Sequence, residues 1–108
     1  MRSLFTGTLN MLVLSALAVE PMHGYAIGRW IRDSSAGELG VEEGQLYPAL
    51  QRLRGRGWVT AEWGTTDTGR RAKFYRLTPR GEQHLDTQVA KWRRYASAVL
   101  GILDSNGG

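Results

Sequence analysis

The residues best equipped for covalent or metal chemistry are few in this chain and badly spaced for it. Its two histidines, His23 and His84, lie far apart, and there is no cysteine. No cluster of carboxylates stands at ligand spacing around either imidazole. Gly64 and Gly69 are followed by Arg70 instead of a Lys-Ser or Lys-Thr pair, so the loop they bracket is no phosphate-cradling P-loop. No serine sits in a Gly-x-Ser-x-Gly elbow. The residues therefore nominate no catalytic group, no metal ligand and no cofactor. An enzyme is not expected.

What the chain does have is guanidinium in one place. The net charge is +4, with a pI near 10.0. Arg52, Arg54, Arg56, Arg70, Arg71, Lys73, Arg76 and Arg80 stand against only Glu62 and Asp67, so residues 52–80 carry +6 and the remainder −2. Concentrated charge on a near-neutral background is the electrostatic footprint expected for a polyanion such as DNA. A merely solvated basic face has the same composition, so the elements that carry these cations must decide.

At 108 residues there is room for one compact domain, and 42% hydrophobic with 22% charged residues is an ordinary globular balance. The amino terminus lacks a basic-then-apolar leader pattern, and the apolar run around residues 11–19 is too short to span a bilayer. A cytoplasmic, membrane-free protein is the expectation. Leu9, Leu12, Val13, Ala16 and Leu17 fall at helical spacing, and Met11, Leu14 and Ala18 add a second apolar side, predicting a first helix over 8–19 buried on most faces. Glu20-Pro21 stops it. A second helix is predicted over 23–34, with Ile27, Trp30, Ile31 and Ser34 inward. A loop of Ser34, Ser35, Ala36 and Gly37 follows.

The third helix should begin near Glu42 or Glu43, where carboxylates suit the positive end of the helix dipole. Leu46, Ala49, Leu50 and Leu53 form its inner stripe, and Gly55 and Gly57 end it. Pro48 is tolerable there only within about the first turn. Opposite the stripe lie Gly44, Tyr47, Pro48 and Gln51, flanked by Gln45 and Arg52: a small, polar, acid-free face able to donate to base edges and phosphates. Residues 58–63 and 72–77 read as strands, joined by the glycine-bracketed loop 64–71 into a hairpin. Arg70, Arg71 and Lys73 at the loop's exit would lie along the DNA backbone. Two helices followed by a basic hairpin is the winged variant of the helix-turn-helix, so the fold class is mainly α with a small β-hairpin.

Thr78-Pro79 starts the last helix, expected to reach about Leu103 with a frayed tail from Asp104 to Gly108. Leu85, Val89, Trp92, Ala96, Val99 and Leu103 alternate spacings of four and three, an a/d seam that wants a partner helix. The seam predicts a homodimer, with residues 1–78 as DNA-binding domain and 79–108 as dimerisation helix and tail. Two-fold symmetry would set the reading helices about 34 Å apart or a multiple of it. A seam does not name its partner, so a winged-helix interaction module pairing with a different protein is the alternative. Trp92 has two readings: an aromatic filling the seam, or a stacking surface for a small aromatic effector between subunits.

These motifs resemble the PadR family of bacterial transcriptional regulators from Gly7 to about Leu103. Gly7-Thr8-Leu9 is similar to the opening of that family's first helix, and His23-Gly24-Tyr25-Ala26-Ile27 to its second-helix signature. Glu43-Gly44-Gln45-Leu46-Tyr47-Pro48-Ala49-Leu50 with Arg52-Leu53 resembles its recognition helix. Gly69-Arg70-Arg71 with Lys73-Phe74-Tyr75-Arg76-Leu77-Thr78 resembles its wing. The resemblance implies a winged-helix dimer of the short subfamily, joined through the carboxy-terminal helix at a roughly palindromic operator. Family members are mostly repressors, and some are released by phenolic or other aromatic compounds. It also implies a structural His23 opening the second helix. Arg54 departs from the pattern, standing where the family carries an acidic residue.

Overall fold

The computed structural model describes residues 6–107. Residues 1–5, and Gly108 of the expected tail, lie outside them. The order is α1 (Thr6–Val19), β1 (Met22–His23), α2 (Gly24–Ser34), α3 (Glu43–Gly55), β2 (Val59–Thr65), β3 (Arg71–Leu77) and α4 (Pro79–Gly107). The three strands form one antiparallel sheet in the order β1-β3-β2.

Helix α1 is the hub, as its two apolar sides require. Leu9, Met11, Val13, Leu14, Ala16 and Leu17 are all buried. Around it pack Ile27 and Ile31 of α2, the Leu46, Ala49, Leu50 and Leu53 stripe of α3, Val59 and Tyr75 of the sheet, and Leu85 of α4. Ala18 and Ser34, expected to face inward, are exposed, because each stands at the end of its helix where the core has already closed.

The sheet has a strand that the sequence reading did not contain. Met22 and His23 pair with Tyr75 and Phe74 of β3, so the segment read as the start of the second helix is first a strand. His23 then caps α2: its backbone is extended, and its Nδ1 accepts a hydrogen bond from the Ala26 amide at 3.4 Å. Its ring meets Phe74 edge-on, with centroids 5.3 Å apart. The imidazole thus ties helix to sheet, which is the structural role the resemblance implied.

Pro48 is the sixth residue of α3, beyond the first turn expected for it. It cannot donate to the Gly44 carbonyl. Both residues are exposed, so that carbonyl lies on the solvent side of the helix. At the root of α4, the Thr78 hydroxyl donates to the Gly57 carbonyl at 2.7 Å and accepts from the Gly81 amide at 3.0 Å, joining the α3 exit to the α4 start.

The expected frayed tail is helical instead. α4 continues through Gly107, with the Ser105 hydroxyl bonded to the Ile102 carbonyl at 2.9 Å. The apolar seam ends at Leu103, but nothing in Asp104-Ser105-Asn106 stops a helix. At about 1.5 Å per residue α4 is about 44 Å long, which makes the molecule 54 Å in its longest dimension.

Candidate nucleic-acid interface

The α3 stripe buries Leu46, Ala49, Leu50 and Leu53, and this sets the azimuth of the helix. Gly44, Tyr47, Pro48, Gln51 and Arg52 consequently face solvent, with Gln45 half-buried at the margin. A side-chain carbon added at Gly44 would meet nothing within 4 Å, so the α3 backbone is open to close approach there. Tyr47 is 52% exposed, and its ring leans on α2 over Gly24. A Cβ at Gly24 would come within 3.1 Å of the Tyr47 hydroxyl, so the bare glycine is what lets the ring lie there.

Arg52 does not project straight outward from this face. Its guanidinium donates to Asn10 Oδ1 of α1 at 3.3 Å, above a cleft of about 180 Å³ that Arg56, Trp58 and His84 also line. In that cleft the His84 ring stacks on Trp58, with centroids 3.6 Å apart and planes within 11°. Burial holds the His84 pKa below its usual 6.5, and the Arg56 and Lys91 charges push in the same direction. Arg56 also lies 5.4 Å from the Trp58 ring, so a second cation there is disfavoured. These surroundings favour the uncharged imidazole. Burial likewise pushes the Tyr75 phenol above its usual 10.0, with Arg54 opposing and Tyr47 adding to the rise.

The wing is a tight hairpin. Thr65 pairs with Arg71 and Trp63 with Lys73. Beyond them the Thr66 amide donates to the Arg70 carbonyl at 2.7 Å, and the Gly69 amide to the Thr66 carbonyl at 2.9 Å. Gly69 has φ +83°, a backbone state that glycine adopts without strain. Arg70 and Arg71 are exposed; Lys73 is half-buried. The Arg71 guanidinium lies 4.9 Å and the Lys73 ammonium 5.6 Å from the centre of the Trp63 ring.

Residues 13–87 match the transcriptional regulator PadR-like family. The chain belongs to that family. Its members are transcriptional regulators and not enzymes, which agrees with the chemistry missing from the sequence. A crystal structure from Streptococcus mutans superposes with a TM-score of 0.83 at 27% identity, covering 95% of this chain and 92% of that one. A PadR family transcriptional regulator from Eggerthella lenta gives 0.75 at 35% identity, covering 90% and 82%. A 37.1 kDa protein in a transposon of Streptomyces fradiae is 38% identical over 95 residues, and this chain spans 26% of its length. The winged-helix architecture read from the sequence is thereby shared with known PadR-like regulators.

Two groups of residues were missed in the sequence. Tyr25 is 70% exposed on α2, stacked near His23 with Arg29 6.0 Å from its ring. With Arg32 these residues border a groove of about 210 Å³ between α2 and α3. In a helix-turn-helix the first of the two helices crosses the DNA backbone. The spacing of Tyr25, Arg29 and Arg32, four and three residues apart on the polar face, was the available signal. Trp63 is the second omission.

The a/d seam divides in two. Leu85 is buried in the domain's own core and Val89 packs against it. Their contribution is intramolecular, contrary to the expectation that the whole seam faces a partner. From Trp92 onward the apolar side is bare: Trp92, Tyr95, Val99, Leu100, Ile102 and Leu103 are all exposed, and Ala96 is half-buried among them. Among the described residues no helix is long and apolar enough to cross a membrane.

Proposed function

We propose that this transcriptional regulator binds double-stranded DNA as a homodimer and represses transcription at a roughly palindromic operator. The observation that carries the reading is the pairing of an exposed α3 face, whose single carboxylate Glu43 lies in the first turn, with a wing whose outer cations are Arg70, Arg71 and Lys73. Tyr47, Pro48, Gln51 and the Gln45 margin would meet base edges in the major groove. The wing would lie on the flanking backbone, positioning the protein without reading sequence. Arg52, tethered to Asn10, suits a phosphate better than a base. Arg29 and Tyr25 of α2 would add backbone contacts.

In this reading residues 1–78 hold the DNA, and residues 79–108 supply the dimer. The bare apolar side of α4 from Trp92 to Leu103 supports pairing with a second copy, since leaving that much apolar surface in water is costly. Trp92 and Tyr95, with ring centroids 5.9 Å apart, would then meet their counterparts and offer an aromatic surface between subunits. A small planar aromatic effector stacking there would relieve repression.

Selection of bound fragments from a random DNA pool tests the reading. A two-fold symmetric consensus is expected, with half-sites about one helical turn apart or a multiple of it. Gln51→Ala should change the preferred half-site, whereas Arg52→Ala should weaken binding to all sequences. Recovery of an asymmetric consensus, or of none, would rule out the symmetric dimer.

A further inference from the structure

On alternation along β2, residues 59, 61, 63 and 65 share one face of the sheet. Val59 is buried and Ala61 half-buried, and Trp63 carries the same face out past the domain's edge, 58% exposed. The other face at this level is filled without it: Phe74 lies over Gly64, where a Cβ would come within 2.8 Å of its ring, and against His23. Trp63 is therefore not holding the sheet to the core. Its aromatic neighbourhood consists of cations, Lys73 directly across the ladder and Arg71 one pair further along. Among the described residues the ion pairs are Arg32–Asp33 and Arg76–Glu62, so neither Arg71 nor Lys73 is neutralised by an acid.

We propose that Trp63 is a positioning residue whose exposed indole holds the Arg71 guanidinium and the Lys73 ammonium on one face of the wing, ordered in advance for the DNA backbone. The proposal rests on the DNA-binding reading above. Long cationic side chains lose rotamer freedom when they dock on a phosphate. A ring that restricts them beforehand removes part of that loss, and the electron-rich face of an indole attracts both types of cation. The charges remain unpaired and available. Tryptophan so placed raises affinity for every DNA sequence alike.

The test uses the whole chain and the variants Trp63→Phe, Trp63→Leu and Arg71→Ala/Lys73→Ala. In the free protein, the Arg71 δ-methylene and Lys73 ε-methylene protons should be shifted upfield by the indole ring current, and Trp63→Leu should abolish the shifts. Trp63→Leu should unfold at a modestly lower temperature, remain folded at the temperature of the binding assay, and bind DNA more weakly, by between about two-fold and about five-fold for each cation released. Trp63→Phe should recover most of the affinity. In the Arg71→Ala/Lys73→Ala background Trp63→Leu should cost nothing further. Unshifted methylenes in the wild type would overturn the proposal, as would an equal loss in both backgrounds, which would make Trp63 a direct DNA contact. Upfield shifts in a wild-type protein that retards no DNA would also overturn it, and would locate the fault in the DNA-binding reading.

Discussion

Gly81 shows how tightly the base of α4 is fitted to the winged domain. A Cβ there would stand 2.1 Å from the Trp58 carbonyl oxygen and 2.8 Å from Leu77 Cδ1, and a backbone carbonyl cannot swing aside. Gly81→Ala should therefore destabilise the fold by about 1–3 kcal/mol despite alanine's better helix propensity, as read by denaturant unfolding. An unchanged midpoint would mean that the α4 root is loose. His84, one turn on, makes a pH-dependent contribution. Its folded pKa is depressed from 6.5, so the unfolded chain binds the proton more readily. Stability should be full above about pH 6.5 and fall as pH drops through the lower folded value, in thermal unfolding across a pH series. His84→Gln should flatten that dependence, and an equally steep fall in the variant would remove His84 as its cause.

At the scale of elements, the helices were legible because their burial follows a single period. The inward stripe of α3 is buried as its spacing required, and its outer face follows by geometry. Two elements were not legible for physical reasons. β1 is two residues long, too short for any alternation to show, and exists because β3 offers it a free edge. The α4 seam was visible, but spacing alone does not distinguish a residue packed on its own core from one awaiting a partner, so Leu85 and Val89 were assigned to the wrong neighbour. The direction of Arg52 and the ring contacts of Trp63 depend on the meeting of α1 with α3 and on the register of β2 against β3, which no local pattern encodes. Pro48 marks a place where α3 departs from its own best local choice. Replacing it with alanine restores a donor for the Gly44 carbonyl on an exposed face, so Pro48→Ala should stabilise the protein by about 1–3 kcal/mol in thermal or denaturant unfolding. A loss of stability would show that the proline-shaped path of α3 is needed for packing.

For the whole molecule, α4 is rooted in the winged domain and bare beyond it. From residue 90 to residue 107 it extends about 27 Å past the last residue packed on the core, with its apolar side uncovered. If two copies pair along this length, Val99→Glu should place like charges in the seam and give a monomer in sedimentation, while the domain's core, which does not include Val99, keeps its fold. A Val99→Glu dimer would transfer the interface elsewhere. In the proposed dimer two tethered wings would engage DNA as one unit, which would raise affinity. If those wings hold DNA through their charge, salt dependence must report it. The logarithm of the DNA-binding constant should fall linearly with the logarithm of salt concentration, and Arg70→Ala/Arg71→Ala should make that slope shallower by about 0.9 for each phosphate left without its cation. An unchanged slope and affinity in the double variant would contradict the assignment of the hairpin as a DNA-binding wing.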